Sequence, residues 1–204
     1  MLIRIDPVVS GEDQRAISLI REQVFEREMG IAVPRLELSH RNAALHLLAR
    51  AAPSGQAAAA LSIIDTSHDS ELHSRHGLVL EAGASVARYT QLAVLRQYRR
   101  MNIPIMMMLE AHRLFVQPRR VSYTWLLFDA ERASSSFLCR RLAFVPQDTV
   151  SQSEYGRTRA LVRDEKQPGS IQASIKARQN LEVSVSILAA PQRTRHGAWQ
   201  AALE

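Results

Sequence analysis

The chain has 204 residues, 46% apolar and 23% charged, which is enough to bury a full hydrophobic core in one domain. No apolar run approaches the roughly 20 residues that span a bilayer, and a single cysteine, Cys139, excludes an intramolecular disulfide framework and a cysteine-ligated zinc site. The formal charge of +6 rests almost wholly on arginine, with Lys166 and Lys176 the only lysines; the planar guanidinium fork suits a phosphorylated donor, an acidic carrier protein or nucleic acid.

Met1-Leu-Ile-Arg-Ile-Asp6 has no basic region ahead of an apolar stretch, so no secretory signal is expected and the chain reads as cytoplasmic. Residues 2–9 predict a first strand. Ser10 and Asp13 match a capping box, and Ala16, Ile17, Ile20, Val24 and Phe25 fall at helical spacing, predicting a helix over 12–28 that stops at Gly30. Residues 31–42, broken by Pro34, read as a loop. The segments 44–50 and 56–64 flank the turn Pro53-Ser-Gly55 and predict a hairpin, although Ala57 to Ala60 favour helix. Residues 66–84 read as a loop with a short helix. They follow Asp65 and hold His68, Asp69, Glu71, His73 and His76 at spacings that fit no standard ligand pattern, so no metal is expected.

A strand over 86–95, a helix over 103–116 and a buried strand over 121–128 come next. A short helix over 130–142 follows, then one or two strands over 145–163 around Glu154-Tyr-Gly156. From Asp164 the composition is that of a linker, and Leu181 to Ile187 alternate as one more strand. The expected organisation is a domain over 1–163 and an extension over 164–204 of unassigned role. This order of elements predicts an α/β (α+β) domain in three layers.

The chemistry concentrates in Ala87-Arg-Tyr-Thr-Gln-Leu-Ala-Val-Leu-Arg-Gln-Tyr-Arg-Arg-Met-Asn-Ile-Pro104. A strand that ends in an arginine-rich turn and a helix start gathers free N–H groups and the positive end of a helix dipole, which suits phosphate. The stretch resembles the acyl-donor motif of the GNAT superfamily of N-acyltransferases, a Leu-Ala-Val strand followed by Arg/Gln-x-x-Gly-x-Gly/Ala and a helix; the loop Arg99 to Pro104 keeps the arginine and lacks both small residues. Ile20-Arg-Glu-Gln-Val-Phe25 resembles the first-helix signature of the branch containing N-acyl-homoserine-lactone synthases and long-chain N-acyl amino acid synthases. The hairpin with His46-Leu-Leu-Ala is similar to that branch's next element. Phe137-Leu-Cys-Arg-Arg-Leu-Ala-Phe144 resembles the closing Tyr-x-Lys-Leu-Gly-Phe motif, with Cys139 at the tyrosine and Ala143 at the glycine.

The resemblance covers about residues 1–162. It implies a three-layer α/β/α domain with a mixed sheet splayed at the donor strand, and aminolysis of an acyl-CoA or acyl-carrier-protein thioester by a small-molecule amine, such as an amino acid. On this reading the backbone of Leu92, Ala93 and Val94 polarises the thioester carbonyl and Arg99, Arg100, Met101, Asn102 and Ile103 supply N–H groups to phosphate, while Pro104 cannot donate. The side chains of Arg96, Arg99 and Arg100 are placed to grip donor phosphates or an acyl carrier protein. Cys139 stands where a general acid is expected, with apolar filler as its other reading; Tyr155 and Tyr123 are alternative acids. Glu37, His46 and Glu81 are candidate proton acceptors, and Gln91 is a candidate for positioning the acceptor. Ser39 and Asn42 stand where the branch carries carboxylates. The methionine tract 106–108 reads as core packing or as lining for an acyl chain. A degraded fold that binds an acyl carrier or partner protein is the alternative function. Nucleic-acid binding is disfavoured by the absence of interleaved aromatics, and a homodimer stays open.

Overall fold

The computed structural model describes residues 2–32, 44–99, 101–134, 136–153, 155–167 and 169. The strand expected over 181–187 and most of the extension lie outside the described residues. Strands β1 (Leu2–Pro7), β2 (Ala44–Ala52), β3 (Gln56–Asp65), β4 (Val86–Val94), β5 (Tyr123–Asp129), β6 (Val145–Ser153) and β7 (Gly156–Asp164) form one sheet. Their order is β1-β2-β3-β4-β5-β7-β6. Only β4 and β5 run parallel; the other neighbours are antiparallel.

Helix α1 (Gly11–Arg21) starts where the sequence marks it. Ser10 Oγ accepts the Asp13 N–H at 3.0 Å, and the Asp13 carboxylate accepts the Ser10 N–H at 3.3 Å. A π-helical stretch, Glu22–Glu28, prolongs it. Gly30, at φ +67°, then lets its own N–H and that of Ile31 return to the carbonyls of Glu26 and Phe25 and end the helix. The remaining helices among the described residues are α2 (Ser70–Arg75), a single 3-10 turn at Arg96–Tyr98, α3 (Ile103–Ala111), which runs on through His112–Val116 and Gln117–Arg119, and α4 (Phe137–Leu142).

Alternation along the strands sorts the side chains into two faces. Leu45, Leu47, Ala49 and Ala51 of β2 join Ile105, Met106, Met107 and Met108 of α3 and Leu138 and Leu142 of α4. Leu48, Ala60 and Ala93 lie under Ile17, Ile20, Val24 and Phe25 of α1. The three-layer arrangement expected from the element order is therefore present, and the methionines are core. The alanine run is strand rather than helix: Ala58, Ala59 and Ala60 are fully buried, so packing on both faces of β3 overrides helical propensity. The histidines of the 66–84 segment pack around buried Trp125. His73 and His76 lie 6.2 and 5.6 Å from its ring and bond to Thr66 and Ser151. Among the described residues no group of His, Cys, Asp and Glu is placed to hold a metal ion. No helix among them is long and apolar enough to cross a membrane.

The helix expected over 130–142 is shorter. Asp129 Oδ1 accepts the Arg132 N–H in a turn, and α4 begins only at Ser136, whose Oγ accepts the Cys139 N–H at 3.3 Å. It ends at Ala143 with φ +58°, a left-handed conformation that costs a Cβ-bearing residue roughly 1–2 kcal/mol. Ala143→Gly is expected to stabilise the protein by about 1 kcal/mol, read as a higher urea midpoint with an unchanged m-value.

Two features of β4 shape the site. Its register against β3 shifts between Ser62↔Thr90 and Ala60↔Ala93, so Gln91 and Leu92 together oppose Leu61. Gln91 adopts φ +51° at this bulge. The second feature is the short ladder with β5, which contains only Val86↔Tyr123, Ala87↔Thr124 and Arg88↔Trp125. Beyond Arg88 the two strands part, which is the splay the resemblance implied.

Candidate functional site

The parted strands lead to a cavity of about 730 Å³. Its walls are Leu92 and Val94 of β4, Val24, Arg27, Glu28 and Met29 from the end of α1, Arg96 and Arg99 from the turn, and Pro104 of α3. Three arginines against one glutamate make it cationic, fitting an anionic ligand. Arg99 is held on two sides: its Nε donates to the Val94 carbonyl at 3.0 Å and its Nη2 pairs with the Glu28 carboxylate. That bond holds the Glu28 carboxyl below the usual carboxylate range.

The expected phosphate cradle is narrower than the sequence suggested. The N–H groups of Arg99 and Met101 donate to the carbonyls of Arg96 and Tyr98 within the turn, so they are spent on the loop's own structure. The helical ladder of α3 starts with the Met106 N–H reaching the Asn102 carbonyl at 3.2 Å. The N–H groups of Ile103 and Ile105 precede it and open toward the loop, as first-turn donors do. Asn102 is left-handed, φ +55°, and its side chain makes no cap. Ile103 is buried and offers only its backbone. Arg100 and Glu37 lie outside the described residues.

Of the expected thioester-facing strand, Leu92 and Val94 line the cavity, whereas Ala93 points to the opposite face and is buried under α1. The bulge produces this division by reversing the alternation after Thr90. Buried Gln91 sits at the bulge itself.

A second polar cluster lies on the α1 face. His46 Nδ1 is 2.6 Å from Ser62 Oγ, and Arg21 Nη2 donates to the same oxygen at 2.7 Å. His46 and Ser62 are cross-strand partners, and Ser62 in turn pairs with Thr90 beside the bulge. Burial, and then the charge of Arg21, hold the His46 imidazole below its ordinary range. Tyr155 reaches this region from the β6–β7 turn, its ring 5.8 Å from that of Phe25. Sequence reasoning gave Ser62 no role and placed Arg21 only within the first-helix signature Ile20 to Phe25. The available signal was a charged residue on the buried stripe of α1, between Ile20 and Val24.

Three other candidates lie elsewhere. The Cys139 thiol donates to the Ala133 carbonyl at 3.2 Å and packs against the α3-side core, away from the cationic cavity. Cys139→Ala is expected to leave kcat within about twofold of the parent, since no proton-transfer contribution is removed; a thioester-turnover assay checks it. Glu81 pairs with Lys166 at 2.8 Å on the surface, and Tyr123 stands beside that pair. Neither belongs to the β4 cluster.

No family model matches the chain, and no curated protein matches its sequence. Solved structures match its fold. FeeM, an N-acyl amino acid synthase from uncultured soil microbes, superposes with a TM-score of 0.59 at 14% identity, covering 79% of this chain and 89% of its own. BjaI, a CoA-dependent acyl-homoserine lactone synthase solved with SAM and isopentyl-CoA, gives 0.61 at 14% identity and 90% of both chains. An acyl-CoA N-acyltransferase from Pseudomonas aeruginosa gives 0.56 at 17% identity, covering 79% and 97%. The chain has the fold of these GNAT proteins, as its motifs implied.

Proposed function

We propose that this protein is an N-acyltransferase that moves an acyl group from an acyl-CoA or acyl-carrier-protein thioester to the amine of a small molecule. The observation that carries this reading is the opening of β4 from β5 beyond Arg88, directly beside a cationic cavity and the start of α3. A thioester laid along the opened edge of β4 meets backbone groups that the ladder does not use. Its phosphates reach Arg96, Arg99 and the first-turn N–H groups of α3. The similar folds of an N-acyl amino acid synthase and a CoA-dependent synthase support the same chemistry.

His46 is the proton acceptor in this scheme. Ser62 Oγ has two lone pairs, one for Arg21 Nη2 and one for a proton on His46 Nδ1. That tautomer leaves the His46 Nε2 lone pair to take a proton from the attacking ammonium, directly or through one water. The amine then adds to the thioester carbonyl, the C–S bond breaks, and the proton that the nitrogen sheds on becoming an amide goes to the departing thiolate.

The alternative, a binding module of the same fold, is favoured by the commitment of Arg99 to Glu28 and of Cys139 to Ala133. Calorimetric titration with acetyl-CoA, a long-chain acyl-CoA and a long-chain acyl carrier protein at two salt concentrations separates the two. Tight binding of a thioester followed by amide formation is the expected result. A carrier protein bound regardless of its acyl group, with no thioester consumed, would establish the binding module.

A further inference from the structure

Side chains four apart stack on an α-helix, so pairs within a helix report its register. In α2 Arg75 Nη2 reaches Glu71 Oε1, four positions back, at 2.8 Å. The end of α1 is different. Arg27 Nη2 donates to Glu22 Oε1 at 2.6 Å, and Gln23 Nε2 donates to Glu28 Oε1 at 3.4 Å. Both bonds span five positions, the interval of the i→i−5 ladder over Glu22–Glu28. Tightened to i→i−4, the same segment would stack Glu22 on Glu26, a like-charge pair, and Arg27 on Gln23.

A wide ladder of seven residues is a rare backbone state, and such turns gather at functional sites. This one walls the cationic cavity through Val24, Arg27 and Glu28. It is tied there from outside, because the Glu28 carboxylate pairs with Arg99. Arg99 in turn is held by the bond from its Nε to the Val94 carbonyl, so the tether runs from the helix end to β4. The backbone favours one register and the side-chain bonds favour the other. The tether between them is the contact for which an anion in the cavity competes.

We infer that the end of α1 is a two-register element, thrown by the anion that Arg99 holds. With Glu28 on Arg99 the segment keeps the wide ladder. An anion that takes Arg99 frees Glu28, and the segment tightens to i→i−4. Taking one residue out of the turn swings Glu28 about 100° around the helix axis. Binding thereby carries a carboxylate off the cavity wall, and Glu28 returns as the anion leaves. The element rests on the donor reading above only for its ligand, the phosphates of coenzyme A.

Scalar couplings across hydrogen bonds, from amide nitrogen to carbonyl carbon, read the register in the isotope-labelled full chain. The Arg27 N–H is expected to couple to the Glu22 carbonyl in the free parent and to the Gln23 carbonyl at saturating coenzyme A. Arg99→Ala and Glu28→Gln cut the tether, so both should show the Gln23 coupling without any ligand. The coupling from the Gln14 N–H to the Ser10 carbonyl, a 3.1 Å bond at the other end of α1, should stay unchanged in every sample. A Glu22 coupling that persists in both variants, or in the parent with coenzyme A bound, would overturn the inference. So would a free parent already coupled to Gln23, or loss of both Arg27 couplings with that of Gln14 retained, which is fraying. If coenzyme A gives no binding heat in calorimetry, the donor reading falls, and inorganic pyrophosphate decides on the element alone. A switch to Gln23 at saturating pyrophosphate sustains it, and no switch overturns it.

Discussion

His46→Asn is expected to lower kcat by about 100-fold or more, the usual contribution of a positioned general base, while donor affinity stays within about twofold. Asparagine keeps a donor near the place of Nδ1 and loses the basic Nε2, so the bond to Ser62 survives and the proton acceptor does not. The pH profile makes the test specific. Burial and Arg21 place the folded pKa of His46 below the ordinary 6.5, so it is neutral and competent throughout the physiological range. The parent kcat/KM should therefore be level above pH 6.5 and fall on the acid side with a midpoint below that value. The variant should lack this limb. Stability follows the same sign. Below pH 6.5 the unfolded chain takes up a proton on His46 before the folded chain does, so this residue makes folding less favourable as pH falls. Unchanged turnover in His46→Asn would remove His46 from the chemistry and leave it a structural partner of Ser62.

The turn and helix start beside the cationic cavity were largely legible in the sequence because their signals are local. Ser10 and Asp13 announce the start of α1. Asn102, one of the few side-chain-bearing residues that accept positive φ readily, stands where the chain turns left-handed into α3. Pro104 marks the first helical turn. The bulge at Gln91 was not legible, because it arises from a mismatch between two strands separated by a long loop and a short helix. Its effect is to turn the Ala93 side chain away from the cavity that Leu92 and Val94 line. The turn at 96–101 also consumes N–H groups that a motif counts as free. Pairings between distant segments, such as Arg99 with Glu28, leave no trace in composition or spacing.

Helix α1 joins the two halves of the site. Arg21 lies in the His46–Ser62 cluster and Glu28 on the wall of the cationic cavity, seven positions apart on the same helix and its π-helical continuation. A charge on the buried stripe of an amphipathic helix weakens its packing. Arg21 is the buried charge of this helix and bonds to Ser62, whereas the exposed Glu28 pairs with Arg99. A shift of α1 along its axis would move both pairings together, which on the proposed function couples donor and acceptor binding through one helix.

Arg99→Ala is expected to weaken acyl-CoA binding by about 10- to 100-fold, the loss of a charge-assisted hydrogen bond to phosphate. Glu28→Gln should act in the opposite direction. The Arg99 guanidinium pairs with the Glu28 carboxylate, so a donor phosphate must compete with that carboxylate or share the arginine with it. Neutralising Glu28 removes the competitor and one negative charge from the cavity wall, and donor affinity should rise by up to about tenfold at low salt. The two variants separate function from architecture because both break the same ion pair. If Arg99 and Glu28 only fasten α1 to the β4 turn, both substitutions lower the melting temperature and both weaken binding through disorder of the cavity. If Arg99 is a phosphate ligand, calorimetry moves the two dissociation constants apart in sign while thermal denaturation moves the two proteins together. Raised salt should then narrow the gap between them, since the exposed charges at this mouth are screened over about 10 Å at 0.1 M.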